Sequence, residues 1–294
     1  MKKLSAFLLL LFFSSSLIGQ HDNEYSQFMF NGLVINPAYA GANNDLNITI
    51  LERNQWVGFD GAPKTTSVSA NSPLRNNKLN LGMSFTSDRF GITQKNSFNC
   101  IYAYRIKLFS GSLAFGLQGG LIMTANNWGD LQTTTAGDQV FIGRTKSVNP
   151  QTGFGFYYQS TKFYCGFSSP DLIKFGSAEK NDYRSVFFNA GYLLNTSGDF
   201  KFKPSVLVKY IHNSPVQVDF NLNSYYRQFG FGLSFRTNDA LVFLLQYAIN
   251  DQFSAGYSYD MTISRLRTYN SGSHEIMLRY DFGYKLNAKS PRYF

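Results

Sequence analysis

The feature that most limits what this chain can fold into is a two-residue hydrophobic period sustained over runs of about ten residues. Ser112 to Thr124 shows it most clearly. Leu113, Phe115, Leu117, Leu121 and Met123 alternate there with Ser112, Ala114, Gly116, Gln118 and Gly120. Leu79 to Thr86, Val216 to Tyr226 and Phe253 to Thr262 repeat the pattern. Such alternation places one set of side chains on each face of a strand. Strands of soluble domains average about 5–6 residues, whereas a tilted strand needs about ten to cross a bilayer. Length therefore favours a transmembrane antiparallel β-barrel over a soluble sandwich.

Composition agrees. Of the 294 residues 17% are aromatic and only 15% charged, against a more usual quarter charged. Beyond the first 20 residues, no apolar run approaches the roughly 20 needed for a helical span. The net charge is +9, or +7 without Lys2 and Lys3. It contains no block of Lys and Arg, so no nucleic-acid partner is expected.

The pattern predicts about fourteen strands, over 45–54, 64–73, 78–87, 97–108, 112–125, 151–159, 161–168, 183–195, 200–212, 215–226, 229–237, 240–248, 253–262 and 273–284. Leu241 to Leu245 is apolar without alternation and is the weakest of these. An even count suits a bacterial single-chain barrel. Connections after odd strands read as long (Gln55–Pro63, Asp88–Asn96, Asn126–Pro150, Ser169–Asp182 and Ile263–Gly272), except near Asn213–Ser214 and Asn238–Asp239. Connections after even strands are short. Long outer loops and short periplasmic turns are the expected asymmetry if the N-terminus is periplasmic.

Outside the barrel, residues 1–20 read as a signal peptide: Lys2 and Lys3, the apolar run Leu4 to Phe13, then small residues from Ser14 to Gly19. Residues 21–44 show no period and read as an N-terminal plug or periplasmic segment, inside or below the barrel. Residues 285–294 read as a C-terminal tail.

Chemistry is sparse. No nucleophile elbow, phosphate-binding glycine loop or zinc-binding helix motif is present. His21, His212 and His274 stand apart from one another, and Cys100 and Cys165 are expected on the membrane face. No catalytic residue, cofactor or metal is expected. Parity along the strands points Arg53, Arg105, Lys107, Lys162, Lys201, Lys203, Lys209, Arg236 and Arg279 inward, with Asp219, Asp260, Glu275 and Asp281. A net positive lumen that holds a peptide or plug by salt bridges is one reading. The avoidance of lipid by charge is the other, at about 2–4 kcal/mol per Lys or Arg at the midplane. Trp56, Phe59, Trp128 and Phe141 lie in the long connections and are candidate anchors for a protein partner. Trp128 fits an interfacial aromatic girdle equally well.

Four stretches resemble the PorP/SprF family, outer-membrane proteins of the type IX secretion system of Bacteroidetes. They are Ile35-Asn36-Pro37-Ala38-Tyr39-Ala40-Gly41, Arg53-Asn54-Gln55-Trp56-Val57-Gly58-Phe59-Asp60-Gly61-Ala62-Pro63, the segment from Tyr269 to Leu278, and the terminal Pro291-Arg292-Tyr293-Phe294. The resemblance implies a non-enzymatic barrel that binds the C-terminal domain of a large secreted adhesin. It would support the adhesin's export or surface anchoring, and gliding in gliding species, alongside other secretion components and outer-membrane lipid. It also implies that Asn36, Pro37, Ala38, Tyr39 and Gly41 order the N-terminal segment. A diffusion porin or a hydrophobic-solute transporter is the alternative for a barrel of this size.

Overall fold

The alternating segments close into a barrel because an unpaired strand edge in lipid leaves backbone groups without partners, at several kcal/mol each. The computed structural model describes residues 24–43, 45–74, 77–130, 143–174, 184–195, 199–212 and 214–283. Its strands are β1 (Leu46–Asn54), β2 (Lys64–Pro73), β3 (Leu79–Phe90), β4 (Thr93–Leu108), β5 (Gly111–Asn127), β6 (Arg144–Gln159), β7 (Phe163–Lys174), β8 (Ser185–Tyr192 and Leu194–Asn195), β9 (Phe200–Ile211), β10 (Gln217–Tyr226), β11 (Phe229–Arg236), β12 (Ala240–Ala248), β13 (Phe253–Thr262) and β14 (Ser273–Phe282). The two pieces of β8 flank Leu193 and both pair with β9, so the fifteen hydrogen-bonded segments make fourteen strands. Each strand pairs antiparallel with its sequence neighbours. β1 closes on β14 from Leu46 opposite Phe282 to Asn54 opposite His274.

The faces follow the parity. Leu117, Phe220, Phe231 and Leu233 are among many large apolar side chains exposed on the outside, where a bilayer covers them. Cys100 and Cys165 are free thiols, set apart on β4 and β7.

Three connections differ from the sequence reading. Asp88–Asn96 is no long loop: β3 runs to Phe90 and β4 starts at Thr93, leaving Gly91 and Ile92 as the turn. β5 continues to Asn127 and β6 begins at Arg144, so most of Asn126–Pro150 outside residues 128–143 is strand. β7 reaches Lys174, with a register irregularity opposite Thr152 and Phe154. These extensions are mostly polar or charged, with only Phe90, Val148, Leu172 and Ile173 as large apolar residues, and that pattern hid them. A strand that rises out of the membrane has no apolar face to show.

β12 answers the odd apolar run. Val242 and Leu244 point inward and are buried, while Leu241, Phe243 and Leu245 point out. The inward pair packs in an apolar cluster with Phe28, Met29 and Phe30. Both faces are apolar because both meet apolar surroundings.

Candidate functional site

Residues 24–43 touch the inward faces of the strands on all sides. Beside the connections that follow odd strands, here the loop end, Glu275 receives the backbone N–H groups of Ser26 at 3.0 Å and Gln27 at 2.8 Å. Arg53 binds Asp260 at 2.7 Å and Glu275 at 3.2 Å, and donates to the Ser26 hydroxyl. Arg236 reaches Glu24 at 3.4 Å, Asp219 at 3.3 Å, Asp239 at 3.1 Å and Asp260 at 3.2 Å. Burial alone would raise the Glu24 carboxyl, but Arg236, Lys209 and Arg53 outweigh it and hold it below the usual range. Asp239, in the β11–β12 turn, is pushed up to about 6 by burial and the negative charge of Glu24, against the pull of Arg236. Buried ion pairs of this kind gain only when every charge is matched and hydrogen-bonded; here two arginines are shared among five carboxylates, and Arg53 Nε and Asp260 Oδ1 find no hydrogen-bond partner among the described residues.

At mid-height Phe28, Met29, Phe30 and Ile35 pack against Leu207, Val242, Leu244 and Met277. Arg279 is bonded to Asp281 at 2.9 Å and donates to the carbonyl of Phe30. Lys203, almost fully buried, lies 5.8 Å from the ring of Tyr164 and 5.9 Å from that of Tyr225.

The turn end holds the Asn36–Gly41 motif. Asn36 caps a short 3-10 turn, Pro37–Tyr39: its side chain accepts from Ala38 N–H and donates to the Phe156 carbonyl at 2.9 Å. Proline suits the first position of such a turn because its missing N–H would have no partner there. Tyr39 meets Tyr157 edge to face at 5.4 Å. Gly41 turns the chain with φ of 69° and lies against Asn80, where a Cβ has no room. Its N–H donates to Asn71, and Arg105 donates to the carbonyls of Ala40 and Gly41. The wall is shaped to this turn. A Cβ on Gly116 would collide with the backbone of Pro37 and Ala38, and one on Gly155 with the Asn36 side chain.

Open space remains beside the segment and at the turn end. A space of about 720 Å³ lies between Val34 and Ile35 and the wall of β3 to β8, lined by Ser84, Thr86, Asn99 and Gln151. Another, of about 520 Å³, lies near the β10–β11 and β12–β13 turns.

The sequence-derived charges thus divide. Arg53, Lys203, Lys209, Arg236 and Arg279 are buried in the lumen, and Arg105 and Lys201 are half-buried. Lys107 and Lys162 share the inward parity of Arg105 and Tyr164 but are exposed at the turn-end rim. The expected positive excess is offset, because Glu24 and Asp239 join Asp219, Asp260, Glu275 and Asp281. Sequence parity could not place Glu24, Ser26 or Gln27, which lie outside any periodic segment.

The aromatic candidates stay apart. Trp56 is half-buried and Phe59 46% exposed in the β1–β2 loop. That loop is tied by backbone bonds between Val57 and Gly272 and between Ser271 and Val57. Trp128, half-buried between β5 and β6, donates its indole N–H to Thr145. The β3–β4 hairpin separates the two loops. Phe141 lies outside the described residues.

A family model described as Type IX secretion system membrane protein PorP/SprF matches residues 17–280. No curated protein matches. Among solved structures, the outer membrane protein Omp33 of Acinetobacter baumannii is similar at 7% identity, covering 82% of this chain and 100% of its own, with TM-score 0.50. A deletion mutant of the monoaromatic hydrocarbon channel TodX is similar at 10% identity, covering 85% and 94%, with TM-score 0.50. At these identities the likeness is one of fold.

Proposed function

Since the chain belongs to the PorP/SprF family of type IX secretion system membrane proteins, we propose that it is a non-enzymatic outer-membrane dock and not a conduit. Residues 24–43 plug its lumen. Its loop-side rim captures the C-terminal domain of a large secreted adhesin, and so supports export and surface anchoring, with gliding motility as the outcome in gliding species. Other components of the secretion system are its further partners.

The observation that carries the reading is the fit between wall and segment. Gly116 and Gly155 leave room for Pro37, Ala38 and Asn36, and Glu275 clamps two consecutive backbone amides. A wall that gives up side chains for a segment, and buries a carboxylate to hold it, favours a segment that stays in place. A polypeptide could then reach the loops, the open space beside Val34 and the one at the β10–β11 and β12–β13 turns, and not the length of the lumen. A fourteen-strand barrel is in any case narrow for a folded adhesin, since barrel width grows with strand number.

The test is capture of a recombinant adhesin C-terminal domain by the full-length protein in detergent. Capture that is lost on changing the loop-side aromatics supports the dock. Passage of ions or small solutes through the wild-type protein, with no capture of the domain, supports a porin instead.

A further inference from the structure

Four of the exposed cations gather at the loop end of β2, β3 and β6. Lys64, Arg89, Arg144 and Lys146 are exposed, and none pairs with a carboxylate among the described residues. The strand register places three of them in one row. Lys64 lies opposite Arg89, Arg89 opposite Gln94, Gln94 opposite Ala125, and Ala125 opposite Lys146. Directly paired residues share a face. It is the outer face, because Thr65 and Asp88, the next residues along, are buried inward. Arg144, opposite Asn127, is the next outward position on β6.

The row lies at the edge of the apolar belt. Two outward positions below it on the same strands are Val68, Phe85, Phe98, Leu121 and Pro150, themselves paired in sequence. Outward positions repeat every ~6.6 Å along a strand, which sets the cations ~13 Å along the strands from that belt, less in height once the tilt is counted. Headgroups occupy that zone. The acids nearby do not cancel the row. Asp88 faces inward and binds Thr65 at 2.6 Å. Glu52 is one outward position lower on β1, opposite Thr66, and Asp60 lies in the β1–β2 loop. Arg265 and Arg267, exposed in the β13–β14 connection, extend the positive side.

We propose that this row binds the phosphate groups of the phosphorylated glycolipid that forms the outer leaflet. The loop end faces outward by the rule of long outer connections, and a lipid-facing row of unpaired cations at headgroup height complements a phosphate layer. Arg89 and Arg144 can take a phosphate with two parallel N–H bonds, and Lys64 and Lys146 act as point charges. The row also fixes the height of the barrel and the side that β2 to β6 turn to the lipid.

The probe is diphosphoryl lipid A added to the full-length protein in detergent, with bound lipid counted by native mass spectrometry. Dephosphorylated lipid A, phosphatidylethanolamine and inorganic phosphate are the comparisons. Each basic residue near an anionic surface contributes about fivefold in binding. The combined change Lys64→Gln, Arg89→Gln, Arg144→Gln and Lys146→Gln is therefore expected to weaken diphosphoryl lipid A by on the order of several hundredfold. Should that variant fail to fold, Lys64→Gln with Arg89→Gln, and Arg144→Gln with Lys146→Gln, are each expected to lose about 25-fold by the same factor. Unchanged lipid binding in folded variants overturns the proposal. So does equal binding of the dephosphorylated form, full competition by millimolar inorganic phosphate, or loss of a protein partner with lipid binding intact.

Discussion

Glu275 accepts the backbone N–H of Gln27, 248 residues away in sequence, at 2.8 Å, and the same carboxylate takes the amide of Ser26 at 3.0 Å. It is fully buried, beside a buried Arg53. One side chain on the last strand thereby ties the N-terminal segment to the seam where the barrel closes.

Removing that carboxylate should be costly. Glu275→Ala leaves Arg53 short of a partner and two amides without an acceptor. Breaking one half of a buried pair costs about 3–5 kcal/mol. Thermal unfolding in detergent should fall by an amount of that order, and hydrogen exchange at residues 26–31 should speed up. Arg53→Ala should do the same, and the double change should cost much less than the sum.

Gly116→Val tests the cradle. The added side chain would collide with the backbone of Pro37 and Ala38, so the Asn36–Gly41 turn should be displaced. Protease access to residues 24–43 should increase while the barrel keeps its folded electrophoretic mobility. Gly119→Val is the control, since a Cβ at Gly119 meets nothing within 4 Å.

The loop-end cluster sets a sign for pH dependence. Asp239 titrates near 6, above its ordinary 3.8, so folding favours its protonated form, and its stabilising contribution is lost as pH rises through 6. Glu24 is held below its ordinary 4.5, so its contribution is present above 4.5 and lost as pH falls through its lowered value. Acidification from pH 7.5 to 5 should therefore leave residues 24–31 protected. Release should come only well below pH 4.5. Asp239→Asn should be tolerated at pH 7.5, within about 1 kcal/mol, because it removes a charge that burial disfavours. Hydrogen exchange and thermal unfolding across this range check both points.

For partner capture, Phe59→Ala and Trp56→Ala should weaken binding of an adhesin C-terminal domain by about tenfold or more each, in the range of interface anchors. Trp128→Ala should cost less, because its indole is engaged with Thr145. Equal effects from all three would point to a broader rim than the β1–β2 loop.

The membrane-crossing part of the fold was legible because lipid outside and polar groups inside impose a strict period of two. Leu113 to Met123 follows that rule except at Gly119, which faces outward, and Ile122, which is apolar and buried inward. It fails where one of those environments changes. Val242 and Leu244 face an apolar segment in place of water, so β12 lost its alternation. Thr93 to Asn96 and Arg144 to Ser147 rise beyond lipid, so both faces turned polar and these stretches read as loops. The site was legible in part. Parity found Arg53, Arg236, Asp260 and Glu275 on inward faces, but only the closed barrel brings β1, β11, β13 and β14 around Glu24 and Ser26. The Asn36–Gly41 string was visible as a turn. Its receptor, Gly116 and Gly155, read only as strand glycines.

The account turns on whether residues 24–43 close the lumen, and ion conductance measures that directly. Full-length protein inserted in planar bilayers should show no stable open-channel current, and the deletion of residues 24–43 should open a steady one. A wild-type barrel that conducts as well as the deletion would contradict the closed dock and return the protein to the porins.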